Sequence, residues 1–131
     1  GILKINTDIM TMNNHSLGTT ADGYSINCST GSNNGKLFNN NTSGTDLGVI
    51  ENGDIISVAY DADTRKLFFG KGGSWLGSAD PANGTNPAYT ASAGTYTAAV
   101  GVYTTSSLFK ANFGQTAFAY PSHNQSRRSL L

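Results

Sequence analysis

The chain has 131 residues, a size that fits one domain, and its eight lysines and arginines balance its eight aspartates and glutamates. Charged residues make up only 12% of the chain, and no run of basic residues exceeds two, so the electrostatic footprint of a nucleic-acid-binding protein is missing. No apolar stretch approaches the roughly 18 residues of a membrane-spanning helix, and a single cysteine excludes an internal disulfide.

The first third of the chain predicts short strands joined by turns. Gly, Thr, Asn and Ser supply 59 of the 131 residues, a composition that favours loops and strands over long helices. Residues 1–12 separate large apolar side chains by small polar ones, which is typical of a strand. The low-complexity stretch 13–46 contains two further predicted strands, Tyr24–Ile26 and Lys36–Phe38, joined by a Gly/Asn/Ser turn.

The clearest local signal is a predicted β-hairpin over residues 54–70. Its first strand, Ile55–Tyr60, is β-branched and aromatic with no clean polar face, which is typical of a strand buried on both faces. Asp61–Thr64 supplies the turn, because aspartate side chains accept hydrogen bonds from nearby backbone N–H groups. Lys66–Gly70 is the predicted returning strand.

The second half of the chain predicts a long loop followed by two more strands. Residues 71–94 are rich in Gly, Ser, Pro and Asn, and a loop of this length in a compact domain is usually functional or disordered. Thr95–Thr104 and Ser107–Phe113 alternate at period two, with a predicted turn at Thr105–Ser106. Because no window shows a helical period, the whole chain predicts an all-β antiparallel sandwich.

The hairpin carries a resemblance to a known family. Gly53–Asp63, followed by Lys66–Phe69, resembles the G-D-x-I-x-V-x-x-D hairpin of SPRY domains. Residues 80–87 make the chain similar to the SPRY-like modules of bacteriophage structural proteins, and the Asn-Phe-Gly-Gln sequence at 112–115 looks like the end of the domain. The resemblance covers residues 1–120 and implies a concanavalin A-like β-sandwich, or jelly roll, with residues 121–131 as a C-terminal tail.

The chain departs from the SPRY pattern at two places. Lys71-Gly72-Gly73 stands where the family has Lys-Asn-Gly, and the turn should persist because Asn and Gly both tolerate positive φ. The aromatic opening strands of the family have no counterpart, since the only tryptophan is Trp75. We therefore expect that the domain lacks its first strands and belongs to a larger assembly or longer chain, because open sheet edges favour pairing with another chain.

The acidic residues predict no catalytic, cofactor or metal site. A glycosidase needs two carboxylates at a defined separation across a sugar, whereas Asp61 and Asp63 belong to a predicted turn. A calcium site at Asp61-x-Asp63 is the less favoured alternative, because the following residues are cationic or apolar instead of supplying oxygen ligands.

Binding through the long loop is therefore the predicted function. Aromatic side chains offer flat apolar area, and amides and carboxylates orient a ligand. The candidate binding residues are Trp75, Asp80, Asn83, Asn86 and Tyr89. Trp75 has an alternative role as a cover for the apolar edge of the sandwich.

The resemblance implies a non-enzymatic module of a virion protein, exposed on the particle surface, that mediates attachment or assembly. Its expected partner is another protein or a host-surface receptor, and a glycan is one such receptor. The alternatives are a cytoplasmic SPRY adaptor that binds peptides and a carbohydrate-binding module.

Overall fold

A computed structural model of the chain describes residues 1–5, 7, 17–102 and 106–120, and every regular element among them is a β-strand. No helix within those ranges has the length and apolarity needed to cross a bilayer. The strands are β1 (Ile2–Lys4), β2 (Gly23–Ile26), β3 (Lys36–Asn39), β4 (Thr42–Asp46), β5 (Ile56–Asp61), β6 (Lys66–Lys71), β7 (Ser74–Trp75), β8 (Tyr89–Thr90) and β9 (Tyr96–Ala98).

The strands form two antiparallel sheets. The first sheet has the order β4-β3-β2-β1-β9. In the second sheet β6 pairs along its whole length with β5 on one side. On its other side β6 pairs with β7 at the Gly70–Lys71 end and with β8 at the Lys66–Leu67 end. The protein is therefore an all-β antiparallel sandwich, as the sequence predicts.

One apolar core joins the inner faces of the two sheets. The first sheet contributes Ile2, Tyr24, Ile26 and Leu37. These side chains lie on one face because Ile2 pairs with Tyr24, Ile26 pairs with Leu37, and Tyr24 and Ile26 are two residues apart on β2. The second sheet contributes Leu67 and Phe69, which are 0% and 1% exposed. The buried cluster consists of Ile2, Tyr24, Ile26, Leu37, Ile50, Leu67, Phe69 and Ala91.

A chain of edge-to-face tyrosines reinforces this core. The ring of Tyr24 on β2 lies 5.2 Å from that of Tyr89 on β8 and 5.9 Å from that of Tyr96 on β9. Tyr96 in turn lies 5.8 Å from Tyr60 on β5. Such pairs each contribute about 0.5–1.5 kcal/mol beyond the burial of their area, so the four rings connect the two sheets directly.

Two hydrogen bonds between Asn34 and Ile50, which we call the clasp, hold the segment between β4 and β5, where the chain crosses from the first sheet to the second. The Asn34 amide nitrogen donates to the Ile50 carbonyl, and the Ile50 N–H donates to the Asn34 amide oxygen, both at 2.8 Å. The neighbouring Gly35 has φ +75°, and a Cβ there would collide with the Gly48 carbonyl. Residue 35 must therefore be glycine for the crossing to pack this closely.

The two predicted hairpins are confirmed, but their burial differs from the prediction. β2 pairs with β3, and β5 pairs with β6, at the predicted positions. The expectation that Ile55–Tyr60 is buried on both faces is wrong, because β5 is an edge strand whose Val58 is 46% exposed. The strand buried on both faces is β6, which has neighbours on both sides. Its Phe68, on the opposite face from Leu67 and Phe69, is 1% exposed, and only the lysines at its two ends are half-buried.

Three other parts of the sequence prediction are corrected. The low-complexity stretch contains an additional strand, β4, whose five small or polar residues are all exposed. Residues 71–94 are not one loop, because they contain β7, β8 and a bridge between Asp80 and Thr85.

Among the described residues 95–102 of the predicted strand Thr95–Thr104, only Tyr96–Ala98 form a strand, β9, and residues 106–120 contain no strand. In that stretch the Asn112 and Gln115 side chains bond to the local backbone, which forms a turn instead. Residues 6 and 8–12 of the first predicted strand, Tyr103 and Thr104 of the later strand, Thr105 of the predicted turn and the tail 121–131 lie outside the described residues.

We expect Leu67→Ala to lower the free energy of unfolding by about 2–5 kcal/mol, because it opens a cavity in the core between the sheets. Urea unfolding followed by tryptophan fluorescence measures the change. Val58→Ala, on the exposed edge of the same hairpin, is the matched control and should change stability by less than about 0.5 kcal/mol. Equal losses in the two variants would contradict this description of the core.

We expect the α-amino group of Gly1 to make the free energy of unfolding depend on pH. Burial lowers its pKa from 8.0 to about 6, and the group donates to the Ala99 carbonyl at 3.1 Å. Between pH 6 and 8 the unfolded chain therefore binds more protons than the folded one, so stability should rise with pH by about 2 kcal/mol across this range. Unfolding of a chain with a free Gly1 amine at pH 6, 7 and 8 tests this. An α-acetylated chain should lose the slope, and an unchanged slope after acetylation would assign it to other groups.

Candidate binding groove

A groove opens between the two sheets beside the edge strand β4. It consists of two adjoining cavities of about 270 Å³ and 380 Å³. Residues Leu37, Thr45 and Ala88 line both of them, so the cavities form one continuous surface depression. We call this depression the groove. It is lined by Leu37, Asn39, Asn40, Thr42, Gly44, Thr45, Leu47, Leu76, Gly77, Asn86, Pro87, Ala88 and Tyr89.

The groove lies where β4 carries small residues. Thr42, Gly44 and Thr45 line it together with parts of residues 76–88, which lead from β7 into β8 and which we call the returning segment. Leu37 and Leu76 supply apolar area, and Asn39, Thr42 and Asn86 add amides and a hydroxyl. None of the lining residues carries a charge. The groove is therefore suited to an uncharged ligand that combines apolar groups with hydrogen-bonding groups.

Two of the five predicted binding residues line the groove. The amide nitrogen of Asn86 donates to the Ser78 carbonyl at 2.9 Å, and Asn86 adopts φ 50°. The Tyr89 hydroxyl donates to the Ser25 carbonyl at 3.3 Å, and burial raises the pKa of Tyr89 above its usual value. Both side chains are fixed by the fold, so the groove presents them in a defined orientation.

Asp80 and Asn83 form a rigid turn outside the groove. The Asp80 carboxylate accepts from the backbone N–H groups of Ala82 and Asn83, and from the Asn83 amide at 2.7 Å. These hydrogen bonds, led by that of the Asn83 amide, lower the pKa of Asp80. On the opposite side of the turn the Gly84 carbonyl accepts from the Lys66 ammonium at 2.7 Å. The turn thus anchors the returning segment to β6.

Trp75 lies on the outer face of the second sheet. It pairs with Gly70, and a Cβ at Gly70 would lie only 3.1 Å from the indole ring. The half-buried ring therefore covers the outer face of β6, a central strand, and not an edge of the sandwich. Trp75, Asp80 and Asn83 do not line the groove.

Other carboxylates close turns in the same way as Asp80. Asp61 accepts from the Thr64 hydroxyl at 2.6 Å and from the Asp63 N–H at 3.0 Å, and the Thr64 hydrogen bond is the largest cause of its lowered pKa. Asp54 accepts from the Glu51 N–H at 2.8 Å and lies 3.3 Å from the Lys71 ammonium. Within the described ranges no three His, Cys, Asp or Glu side chains cluster as metal ligands.

Most of the groove could not be found from the sequence. Its β4 and β3 wall lies in the stretch that reads as low complexity, and the returning segment reads as loop. Of the lining residues, the sequence predicts only Asn86 and Tyr89 as binding residues. Comparison of the chain with protein-family models, curated proteins and solved structures finds no match.

We expect Tyr89→Phe to lower the free energy of unfolding by about 1 kcal/mol, because the Ser25 carbonyl loses its hydrogen-bond donor while the ring remains. Tyr120→Phe removes a hydroxyl from a side chain that is 46% exposed and serves as the matched control. Chemical unfolding of both variants measures the difference. If the two variants are equally stable, the Tyr89 hydroxyl does not fix this wall of the groove.

Proposed function

We propose that this chain is a non-catalytic binding module, and that the groove holds an extended, uncharged segment of a protein partner. The observation that carries the proposal is the groove itself. The groove is lined by residues of both sheets, and none of these residues is charged. Hydrogen bonds hold the side chains of Asn86 and Tyr89 in its walls. A preformed site of this kind binds without having to order its own side chains first.

The resemblance to SPRY domains supports a partner of this class. In that family, loops at one end of the sandwich bind peptides or proteins. Here the hairpin that carries the resemblance pairs as β5 and β6, and the returning segment beyond it forms one wall of the groove. By the same resemblance, we propose a virion protein as the setting, with attachment or assembly as the role of the module. The cytoplasmic peptide-binding adaptor remains the alternative setting.

A carbohydrate ligand is the second candidate. Asn39, Thr42, Thr45 and Tyr89 line one of the two adjoining cavities, and Asn86 lines the other together with Thr45. Neutral sugars are recognised by this combination of hydrogen-bonding groups and an aromatic surface. The two candidates use the same groove and differ in the ligand that it selects.

Selection of a display library of random linear peptides on the purified chain, with a glycan array in parallel, tests the proposal. We expect selected peptides to be neutral and to lose at least about tenfold in affinity in Thr45→Lys, since the lysine would occupy both cavities. Ser43→Lys, an exposed position on the same strand that does not line the groove, is the matched control and should bind normally.

The other outcomes separate the alternatives. Glycan binding that Thr45→Lys abolishes, without peptide binding, would favour the carbohydrate-binding module. Ligands that bind Thr45→Lys as well as the native chain would refute the groove as the site. Hydrolysis of a polysaccharide by the purified chain would refute the non-catalytic assignment.

A further inference from the structure

The outer edge of β9 is an unprotected strand edge. Edge strands expose backbone N–H and C=O groups, and proteins commonly protect them with charges, prolines or bulges. The first sheet's other edge, β4, ends in Asp46 and pairs with a register shift. The edge strand β5 ends in Asp61. Residues 96–102, by contrast, contain no charged residue and no proline.

The register of β9 fixes which backbone groups are free. Ala99 directs its N–H and C=O to β1, where it bonds with Gly1 in both directions at 3.0 and 3.1 Å. Successive residues of an antiparallel strand direct these groups to opposite sides. Ala98 therefore directs its N–H and C=O to the outer edge, and Tyr96 does the same. Continuing the strand would align Val100 and Val102 with them.

We propose that a second copy of the chain pairs with this edge, antiparallel, with Ala99 on the two-fold axis. In this register Ala98 faces Val100 of the second copy, and Tyr96 faces Val102. Both are hydrogen-bonded pairs, because all four residues direct their backbone groups outward. The two five-stranded sheets would join into one continuous sheet of ten strands. The inference is independent of the groove and of the proposed function.

The sequence of residues 96–102 is self-complementary in this register. Tyr96, Ala98, Val100 and Val102 alternate along the strand, so the pairing places apolar side chains opposite apolar side chains on one face of the joined sheet. In a two-fold contact a patch faces the identical patch of the other copy, so a charge within it would lie near an identical charge. Residues 96–102 carry no charge, and the pairing therefore brings no like charges together.

The stretch that follows β9 is rich in exposed apolar side chains. Seven of the eleven large apolar side chains exposed among the described residues belong to it: Val100, Val102, Leu108, Phe109, Phe113, Phe118 and Tyr120. The four aromatic residues alone leave on the order of 470 Å² accessible. One partner of a standard protein interface contributes roughly 800 Å². The two valines and Leu108, which is 94% exposed, supply much of the remainder.

Part of this stretch is already shaped for contact. The Phe113 N–H donates to the Gln115 side chain at 2.6 Å, and the Gly114 N–H donates to the Asn112 side chain at 2.9 Å. This turn displays Phe113, which is 77% exposed. At the end of the stretch the Tyr120 ring lies against Gly73 of the second sheet. Specific contacts of the fold therefore hold the turn that carries Phe113 and the ring of Tyr120.

Disulfide cross-linking tests the register directly. In a Cys28→Ser background, Ala99→Cys should give a covalent dimer on mild oxidation. Residues facing each other in a non-hydrogen-bonded antiparallel pair have Cα atoms about 4.5 Å apart, within the range of a disulfide. Thr97→Cys is the matched control on the same strand. It should not cross-link to itself, because it faces Gly101 and lies roughly 13 Å from its own copy.

Light scattering and sedimentation of the unmodified chain test the dimer itself. We expect a dimer that Val100→Lys converts to a monomer, while Val49→Lys leaves it intact. The two valines are matched in exposure, at 60% and 58%, so neither substitution disturbs the core. A native chain that remains monomeric up to millimolar concentration would overturn the proposal. So would a dimer in which Thr97→Cys cross-links as readily as Ala99→Cys.

Discussion

The contact of β6 with the first sheet is the interaction on which the rest of the structure depends. Leu67 and Phe69 are completely enclosed between the sheets, and no other strand of the second sheet contributes a residue to the buried cluster. With only 37% of its residues apolar, the chain can enclose one narrow core and little more. Side chains at the ends of the sandwich consequently stay half-buried, and depressions remain where the end strands carry small residues.

The tyrosines compensate for the narrowness of this core. Tyr24, Tyr89 and Tyr96 bury large rings at the boundary between the sheets, and their hydroxyl groups find backbone or serine partners there. A ring with a polar end can fill the margin of a core without leaving a buried polar group unpaired. The same arrangement fixes one wall of the groove, so the stability of the sandwich and the shape of its binding surface depend on the same side chains.

The sequence predicts the parts of the fold that arise from local pattern. The class of fold and both hairpins follow from β-branched and aromatic runs bounded by turn residues, as at Ile55–Tyr60. The burial of each strand cannot be predicted in this way, because the residue pattern of a strand does not reveal whether it lies at an edge or at the centre of a sheet. β4 was missed because its Thr, Ser and Gly residues are also the residues of turns, and its pairing with β3 alone makes it a strand.

The candidate site was predictable only in part for the same reason. Asn86 and Tyr89 stand out in the sequence, but the opposite wall of the groove comes from residues more than forty positions earlier in the chain. The sequence predicts Asp80 and Asn83 as binding residues because they are polar and lie in a loop. In the structure their side chains bond to each other, and Asp80 also accepts from the turn backbone. Hydrogen-bonding capacity alone does not distinguish a residue that shapes a loop from one that contacts a ligand.

The clasp between Asn34 and Ile50 has a consequence for the chemical ageing of the protein. Its geometry needs one donor and one acceptor on the same side chain, which an amide provides and a carboxylate does not. Asn34 precedes Gly35, the sequence context in which asparagine amides hydrolyse most readily, and Gly35 cannot be replaced because Gly48 packs against it. Loss of that side-chain nitrogen as ammonia would leave the Ile50 carbonyl without its donor and loosen the passage between the sheets.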